Sequence, residues 1–284
     1  MLLTGFGAPR YEPRVLRNQV SHNETSATAH GPRYLVGSLA QGLALLERFD
    51  GRRGLTLTDL TRGLGWTKTT TFRYLATLAS LGYLEVDRQS RRYRPTVKVL
   101  RLGAAYLAAL TLPELALSHL ERLSERFGES VNMAVLDEAE VVYVARVGGR
   151  RILSTNLGVG SRLPAHCTSM GKVLLAWLDD ASLRRILGKM TFARLTPRTV
   201  SGAARLREAL RAVRRKGYAI NDQEMDLGLR SCAAPVLDRS GAAVAAVNVS
   251  VSSARATRED VEARYVPHLL ATAREISEVV RNRL

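Results

Sequence analysis

The spacing of apolar residues predicts three helices in the first third of the chain. Leucines and aromatic residues recur there every three or four positions, which is the period of one face of an α-helix. The pattern places the first helix at residues 38–49, with Ser38 as its N-cap. A short second helix begins in the capping-box sequence at residues 56–59, and a third covers residues 68–81 with Thr67 as its N-cap.

A β-hairpin is predicted directly after the third helix. Residues 82–87 alternate between apolar and polar, a polar turn follows, and Pro95 closes the second strand. A short helix, a turn containing Gly63 and Gly65, a longer helix and a hairpin are typical of a winged helix-turn-helix. We therefore predict an N-terminal, all-α winged helix-turn-helix domain over residues 34–95, with the hairpin as its wing.

The third helix divides into a face that packs and a face that is free. At about 100° per residue, Leu75, Leu78 and Leu81 fall on one side and Arg73 on the other. The free face and the wing tip together offer six candidate DNA contacts: Lys68, Thr69, Thr70, Arg73, Arg91 and Arg92. Their hydroxyl and cationic groups suit base edges and phosphates. The alternative is an ordinary solvent-exposed surface.

The segments beside this domain are predicted from composition. Residues 1–33 contain several Pro, Gly and polar residues but no apolar core of signal-peptide length, so we predict a disordered tail and no secretory signal. Residues 96–112 are expected to form a linker helix that Pro113 interrupts. Residues 113–284 then form a second domain.

Strand and helix patterns are mixed in this second domain. Strands are predicted at residues 130–136, 140–147, 151–157, 218–221, 230–237 and 243–251. Helices are predicted at residues 115–127, 169–178, 181–187, 202–216 and 257–283. Strands grouped at both ends with helices between them favour an α+β fold, with an antiparallel sheet and helices on one side of it.

Charge narrows the class of partner. The chain has 42 Lys and Arg against 26 Asp and Glu, a formal charge of +16, which favours a polyanion such as nucleic acid. Six basic and two acidic residues lie between positions 66 and 94, inside the predicted DNA-binding domain. Six more basic residues at positions 205–216 are expected to form a solvated surface. No apolar run approaches the roughly 20 residues of a membrane span, and two cysteines suit a reducing cytoplasm.

The sequence argues against the common enzymatic and cofactor motifs. The glycines at positions 158 and 160 lack the third glycine of a dinucleotide-binding loop, and the Gly-Lys pair at 171–172 lacks the flanking residues of a phosphate loop. His166 and Cys167 are adjacent, and adjacent side chains in an extended segment point to opposite sides. We expect no enzyme, cofactor or metal site, with a Cys/His-dependent hydrolase as the alternative.

The same segment has the features of an anion site. Thr168 is placed to cap the following helix, so the backbone N–H groups of residues 169–171 converge at its positive end. Arg162 and Lys172 lie nearby in the sequence. These features predict a carboxylate site, and a capped helix without a ligand is the alternative.

Several segments resemble the IclR family of bacterial transcriptional regulators. In the first domain they are residues 39–49, 56–65, 68–75 and 81–84. In the second domain they are residues 160–176, with the sequence Pro-Ala-His-Cys-Thr-Ser-Met, and residues 221–236, which begin Asn-Asp-Gln-Glu. The last two segments are similar to the subgroup that controls the protocatechuate and 4-hydroxybenzoate branches of the beta-ketoadipate pathway.

The resemblance implies a GAF-like effector domain that binds a small organic acid. It also implies a homodimer, or a dimer of dimers, on a palindromic operator in double-stranded DNA. Carried over by position, the effector pocket consists of His166, Cys167, Thr168, Ser169, Asn221, Ser231, Asn248 and Ser250. Family members that bind very small acids have Asp, Cys, Ser and Ser at the last four positions, and only Ser250 agrees. This departure favours a different, larger acid.

We therefore predict a DNA-binding regulator of aromatic acid catabolism genes, controlled by an aromatic or dicarboxylic acid. Ligand binding would change the arrangement of the two recognition helices of a dimer through the linker helix, and so alter operator affinity or RNA polymerase recruitment. Asn248 and Ser250 share one face of their predicted strand, and two buried polar groups there need partners. A nucleic-acid-binding protein without an effector is the remaining alternative.

Overall fold

A computed structural model of the chain describes residues 35–49, 54–103, 111–149 and 157–283. The chain divides into two units, residues 1–106 and 107–284. The predicted disordered tail and most of the predicted strand at residues 151–157 lie outside the described residues.

Among the described residues of the first unit, three helices precede the wing and pack with a small antiparallel sheet. Its helices are α1 (Gly37–Leu46), α2 (Leu57–Leu64) and α3 (Lys68–Ser80). Its strands are β1 (Leu55–Thr56), β2 (Leu84–Val86) and β3 (Arg92–Pro95), in the order β1-β3-β2. The predicted winged helix-turn-helix is confirmed. β1 is an addition, because two residues are too few to produce a strand pattern in the sequence.

Side-chain caps fix the starts of α2 and α3. Thr56 accepts a hydrogen bond from the backbone N–H of Asp59 at 3.2 Å, and Asp59 accepts one from the N–H of Thr56 at 3.0 Å. Thr67 accepts from the N–H of Thr70 at 3.1 Å. The core beneath these helices contains five buried leucines: Leu45, Leu60, Leu75, Leu78 and Leu84.

Two helix ends in the first unit differ from the prediction. The N-cap of α1 is Val36, which makes no side-chain hydrogen bond, and Ser38 lies inside the helix. The helix ends at Leu46 rather than at residue 49. Leu81 is 52% exposed instead of packed, because α3 ends before it and Gly82, with φ of 76°, redirects the chain.

The segment after the wing begins with a 3₁₀ turn, Val97–Val99, rather than with an α-helix. Residues 100–103 are helical, and the rest of the predicted linker helix lies outside the described residues. The next helix, α4 (Thr111–Phe127), starts before Pro113, so the predicted break at this proline was wrong. Proline fits there because the N–H groups of a first helical turn have no intrahelical partner.

The second unit is built on a six-stranded antiparallel sheet. Its strands are β4 (Ser130–Asp137), β5 (Glu140–Val147), β6 (Arg162–Pro164), β7 (Ala219–Asp222), β8 (Leu229–Leu237) and β9 (Ala243–Ser252), in the order β6-β5-β4-β9-β8-β7. Its later helices are α5 (Ser169–Ala176), α6 (Asp180–Lys189), α7 (Ala203–Lys216) and α8 (Val266–Arg283). A short helix, Arg258–Asp260, and a π-helical turn, Val261–Tyr265, lead into α8.

Helices cover both faces of this sheet, so the prediction of helices on one side was wrong. On one face, Met133 and Val247 pack in a core with residues of α4 and α8. On the other, Ala134 and Ala246 pack with residues of α5, α6 and α7. Successive strand residues point to opposite faces of the sheet, and in these strands the residues on both faces are apolar. The sheet is therefore buried on both sides.

The outer face of α7 is polar and basic. Along α7, Leu206, Leu210 and Val213 are buried, while Arg207 and Arg211 are exposed. This arrangement agrees with the predicted solvated surface. No helix among the described residues is long and apolar enough to cross a membrane.

Candidate nucleic-acid interface and ligand cleft

The free face of α3 carries most of the predicted DNA contacts. Lys68, Thr69 and Arg73 are exposed there. Thr70 is half-buried, and its hydroxyl lies 2.9 Å from that of the cap residue Thr67, so it contributes to the helix start. Phe72, 53% exposed, lies on the same face and adds an apolar group large enough to contact a base or a sugar.

The two wing arginines have different environments. Arg91 is exposed at the tip of the wing with φ of 55°, a backbone conformation that favours glycine or asparagine over arginine. Arg92 is half-buried and donates to the carbonyl oxygen of Gly54 at 2.6 Å, which ties β3 to the start of β1. Arg91 is therefore the more exposed of the two, and Arg92 has one guanidinium nitrogen engaged within the domain.

The turn of the wing is held by a carboxylate. Asp87 accepts hydrogen bonds from the backbone N–H groups of Gln89 at 2.9 Å and Ser90 at 2.8 Å. These hydrogen bonds, with that of Ser90 the largest contribution, lower the pKa of Asp87. The carboxylate stays charged at neutral pH and shapes the loop that presents Arg91.

In the second unit, a row of polar residues runs across four strands of the sheet. The register places Ser130 opposite Ser250, Ser250 opposite Ser231, and Ser231 opposite Asn221. Directly opposed residues of an antiparallel sheet share one face. All four line a cleft on the face of the sheet that α5 covers.

A second row lies beside the first and contains a cation. Arg146 is opposite Asn132, which is opposite Asn248. A β-bulge between Met133 and Ala134 shifts the pairing, so that Tyr143 also lines the cleft although it is three residues from Arg146. Burial raises the pKa of Tyr143 to about 12, so its hydroxyl is neutral and can donate.

Hydrogen bonds link the polar side chains of the cleft. The hydroxyls of Ser169 and Ser231 are 2.8 Å apart, which joins the start of α5 to the sheet. The amide nitrogen of Asn132 donates to Asn248 Oδ1 at 2.7 Å, and Asn248 Nδ2 donates to Ser250 Oγ at 3.3 Å. The cleft therefore contains two hydrogen-bonded groups of polar side chains, one at the start of α5 and one across β4 and β9.

The start of α5 is fixed by close packing. Thr168 caps the helix by accepting the N–H of Gly171 at 3.1 Å, as predicted. A Cβ atom at position 171 would lie 2.2 Å from the carbonyl oxygen of Ala165, so only glycine allows this approach. Asn221 secures the other side, because its Nδ2 donates to the carbonyl oxygen of Cys167 at 2.8 Å. This packing places Thr168 and Ser169 in the cleft wall.

Three predicted effector residues do not line this cleft. Arg162 lies on strand β6 and forms ion pairs with Asp137 at 2.6 Å and Glu140 at 2.8 Å. His166 is buried beside Phe192, and its Nε2 lies 3.1 Å from the carbonyl oxygen of Ala193. Cys167 is buried behind the cap. These residues support the wall or the sheet edge rather than the cleft surface.

Their chemistry also fails to support catalysis. Burial raises the pKa of the Cys167 thiol to about 12, so no thiolate forms at neutral pH. Burial lowers the pKa of His166. Lys172, the second cation expected near the carboxylate site, is buried in an ion pair with Glu224. Within the described part of the chain, no group of three His, Cys, Asp or Glu side chains could hold a metal.

Six of the cleft residues are predicted from the sequence, and eight are not. The six are Thr168, Ser169, Asn221, Ser231, Asn248 and Ser250. The missed ones are polar residues of β4 and β5 and apolar residues of the walls: Ser130, Asn132, Tyr143, Arg146, Leu157, Leu163, Met225 and Leu229. Pairing Asn132 with Asn248 in the register would have found the second row.

Each of the two units matches the model of one domain family. Residues 38–88 match the IclR helix-turn-helix domain, and residues 104–278 match the C-terminal domain of bacterial transcriptional regulators of the IclR type. The chain belongs to the IclR family. Members of this family are transcriptional regulators, so the alternative of a Cys/His-dependent hydrolase is excluded.

Relatives within the IclR family include regulators of aromatic catabolism. The chain is 42% identical to the Pca regulon regulatory protein of Pseudomonas putida, over 84% of this chain and 82% of the relative. It is 36% identical to the p-hydroxybenzoate hydroxylase transcriptional activator of Acinetobacter baylyi, over 92% and 97% of the two chains. An IclR homologue from Microbacterium hydrocarbonoxydans, crystallised with 4-hydroxybenzoate, has a TM-score of 0.71 and 27% identity, covering 86% of this chain and 99% of its own.

Proposed function

We propose that this IclR-family regulator controls aromatic acid catabolism genes and that a small organic acid bound in the cleft sets its activity. The observation that carries the proposal is the cleft itself, where Arg146 lies beside two rows of hydroxyl and amide groups. A half-buried guanidinium among neutral donors suits a carboxylate. The names of the relatives from Pseudomonas putida and Acinetobacter baylyi support the aromatic pathway.

The proposed DNA contacts follow from the first unit. Lys68, Thr69 and Arg73 on α3 would enter the major groove of double-stranded DNA, and Arg91 on the wing would contact phosphate or the minor groove. A cytoplasmic location follows from this role.

A homodimer, or a dimer of dimers, on a palindromic operator is part of the proposal. Leu35, Leu39 and Leu43 are spaced by four residues at the start of the first unit and are 63%, 63% and 46% exposed. Leu39 and Leu43 lie on α1 and Leu35 just before it, and exposed apolar residues of this kind suit an interface with a second copy of the chain. Two-fold symmetry would then place two copies of α3 on two operator half-sites.

In the proposed mechanism, the acid binds one of two arrangements of the dimer more tightly than the other. The difference in affinity shifts the populations of the arrangements, and residues 96–112 would transmit the change to the DNA-binding units. Operator affinity, or recruitment of RNA polymerase to the promoter, would change as a result.

Fluorescence anisotropy tests the proposal directly. DNA fragments from the promoters beside the regulator's own gene are labelled and titrated with the protein, with and without 4-hydroxybenzoate, protocatechuate or beta-ketoadipate. We expect one fragment to bind specifically and one acid to change its Kd. Specific binding that no acid changes would favour an effector-independent DNA-binding protein.

A further inference from the structure

Arg146 differs from the other shielded cations of the second unit. Lys172 is paired with Glu224, and Arg230 with Asp222 at 2.7 Å. Arg146 is half-buried, and no side chain or carbonyl among the described residues accepts a hydrogen bond from it. A cation that is partly shielded from water interacts more strongly with an anion than an exposed one does, so its position in the cleft favours an anionic ligand.

A second unpartnered group lies directly opposite in the sheet. Asn132 is 2% exposed, and its Oδ1 atom is buried with no hydrogen-bond donor among the described residues. Its Nδ2 atom is already engaged with Asn248, which in turn donates to Ser250. Asn132 lines the cleft, and its Oδ1 atom is therefore an acceptor without a partner among the described residues.

The rest of the lining restricts the ligand further. Arg146 is the one charged residue among the described residues that line the cleft. A dicarboxylate would therefore have one carboxylate paired and the other beside neutral or apolar groups. Leu157, Leu163, Met225 and Leu229 supply an apolar wall that suits a ring or a hydrocarbon chain.

We propose that Arg146 and Asn132 select the effector, with Arg146 binding its carboxylate and Asn132 Oδ1 accepting a hydrogen bond from its hydroxyl. The ligand class is then a hydroxy-substituted aromatic monocarboxylic acid rather than a dicarboxylic acid. The inference rests on the proposed function, because it concerns the same cleft. Beyond the proposed function, it assigns the side chains that bind the carboxylate and the hydroxyl of the acid.

A ligand series on the wild-type, full-length protein provides the first test. Isothermal titration compares 4-hydroxybenzoate with benzoate, which lacks the hydroxyl, and with 4-methoxybenzoate, whose oxygen can only accept. The 2- and 3-hydroxy isomers identify the ring position. We expect the best hydroxybenzoate to bind at least about tenfold more tightly than benzoate and 4-methoxybenzoate, since a buried acceptor left unpaired weakens binding by about this factor or more.

Substitution provides the second test. In Asn132→Leu, which has a similar size but no acceptor, the preference for the hydroxyl should fall to within about threefold. Arg162→Gln, at the sheet edge outside the cleft, is the matched control and should keep the wild-type preference. Thermal unfolding checks that both variants are folded, and the ligand series on the wild type decides the question if Asn132→Leu is not.

The outcomes separate this inference from the proposed function. If no acid of the panel binds, including adipate and beta-ketoadipate, both are wrong. If benzoate and the hydroxybenzoates bind equally, or if a dicarboxylic acid binds most tightly, the assignment of Arg146 and Asn132 is wrong while an acid-controlled regulator stands. A hydroxyl preference that persists in Asn132→Leu likewise overturns the role of Asn132.

Discussion

The DNA-binding surface and the ligand cleft both depend on arginine, in opposite settings. Arg73 and Arg91 are exposed, so water and salt screen their charges and each contributes a modest part of an interaction with many phosphates and bases. Arg146 is half-buried and is the one charged residue among the described residues of the cleft, where a single carboxylate would interact with it strongly. We therefore expect affinity for DNA to be distributed over many groups and affinity for the proposed acid to depend mainly on one.

The largest expected effect is therefore in the cleft. Arg146→Gln should weaken binding of the tightest acid by about 100-fold, because it removes the single cationic partner of a partly buried carboxylate. Isothermal titration measures the change, with Arg162→Gln as the control. Arg162 is already paired with Asp137 and Glu140, so its variant should bind acid within about twofold of the wild type. Equal losses in the two variants would contradict the assignment of the cleft.

A smaller loss of affinity, here for the operator, is expected from a substitution on the recognition helix α3. Arg73→Ala should weaken specific operator binding by about 10- to 100-fold, because one arginine–base contact contributes about 1–3 kcal/mol. Mobility shift with operator and with unrelated DNA measures the specificity, and circular dichroism checks the fold. Undiminished operator affinity would show that α3 does not read the DNA through Arg73.

Substitutions in the wing should distinguish a residue that contacts DNA, Arg91, from one that stabilises the domain, Arg92. Arg91→Ala should reduce the slope of log affinity against log salt by about 0.9, the contribution of one phosphate contact. Arg92→Ala should leave that slope nearly unchanged and lower the free energy of unfolding by about 1 kcal/mol, because it loses the hydrogen bond to Gly54. Salt titrations and thermal unfolding distinguish the two variants. Equal slope changes would mean that Arg92 also contacts DNA.

The smallest effect is expected on the other basic helix. Arg207 and Arg211 are exposed on α7, outside the proposed DNA surface. The double substitution to alanine should leave the salt slope within about 0.2 of the wild type, compared with 0.9 for each phosphate contact. A reduction near 2 would place α7 on the DNA and would require a larger interface than the one proposed.

Local signals predicted much of the fold. The capping residues Thr56 and Thr67 start α2 and α3 where the sequence indicates, because a cap depends on neighbours within three residues. The polar pair Asn248 and Ser250 was also found, since alternation along one strand is visible in the sequence.

Features that depend on tertiary structure were harder to predict. Arg146 was missed because its place in the cleft depends on its pairing with Asn132, and Tyr143 was missed because the bulge beside Met133 brings it to the same face. Arg162 was assigned to the cleft from its proximity in sequence, but the hairpin brings Asp137 and Glu140 to it. The second layer of helices was missed because alternation alone does not say what covers each face of a sheet.

We expect the acid cleft and the operator surface to be thermodynamically coupled. If acid changes the operator Kd by some factor, bound operator must change the acid Kd by the same factor. The most direct test measures operator Kd by anisotropy with and without saturating acid, and acid Kd by titration with and without saturating operator. We predict two equal factors, each about 5-fold or more. If both ligands bind tightly and neither changes the Kd of the other, the two sites are not coupled and the proposed mechanism is wrong.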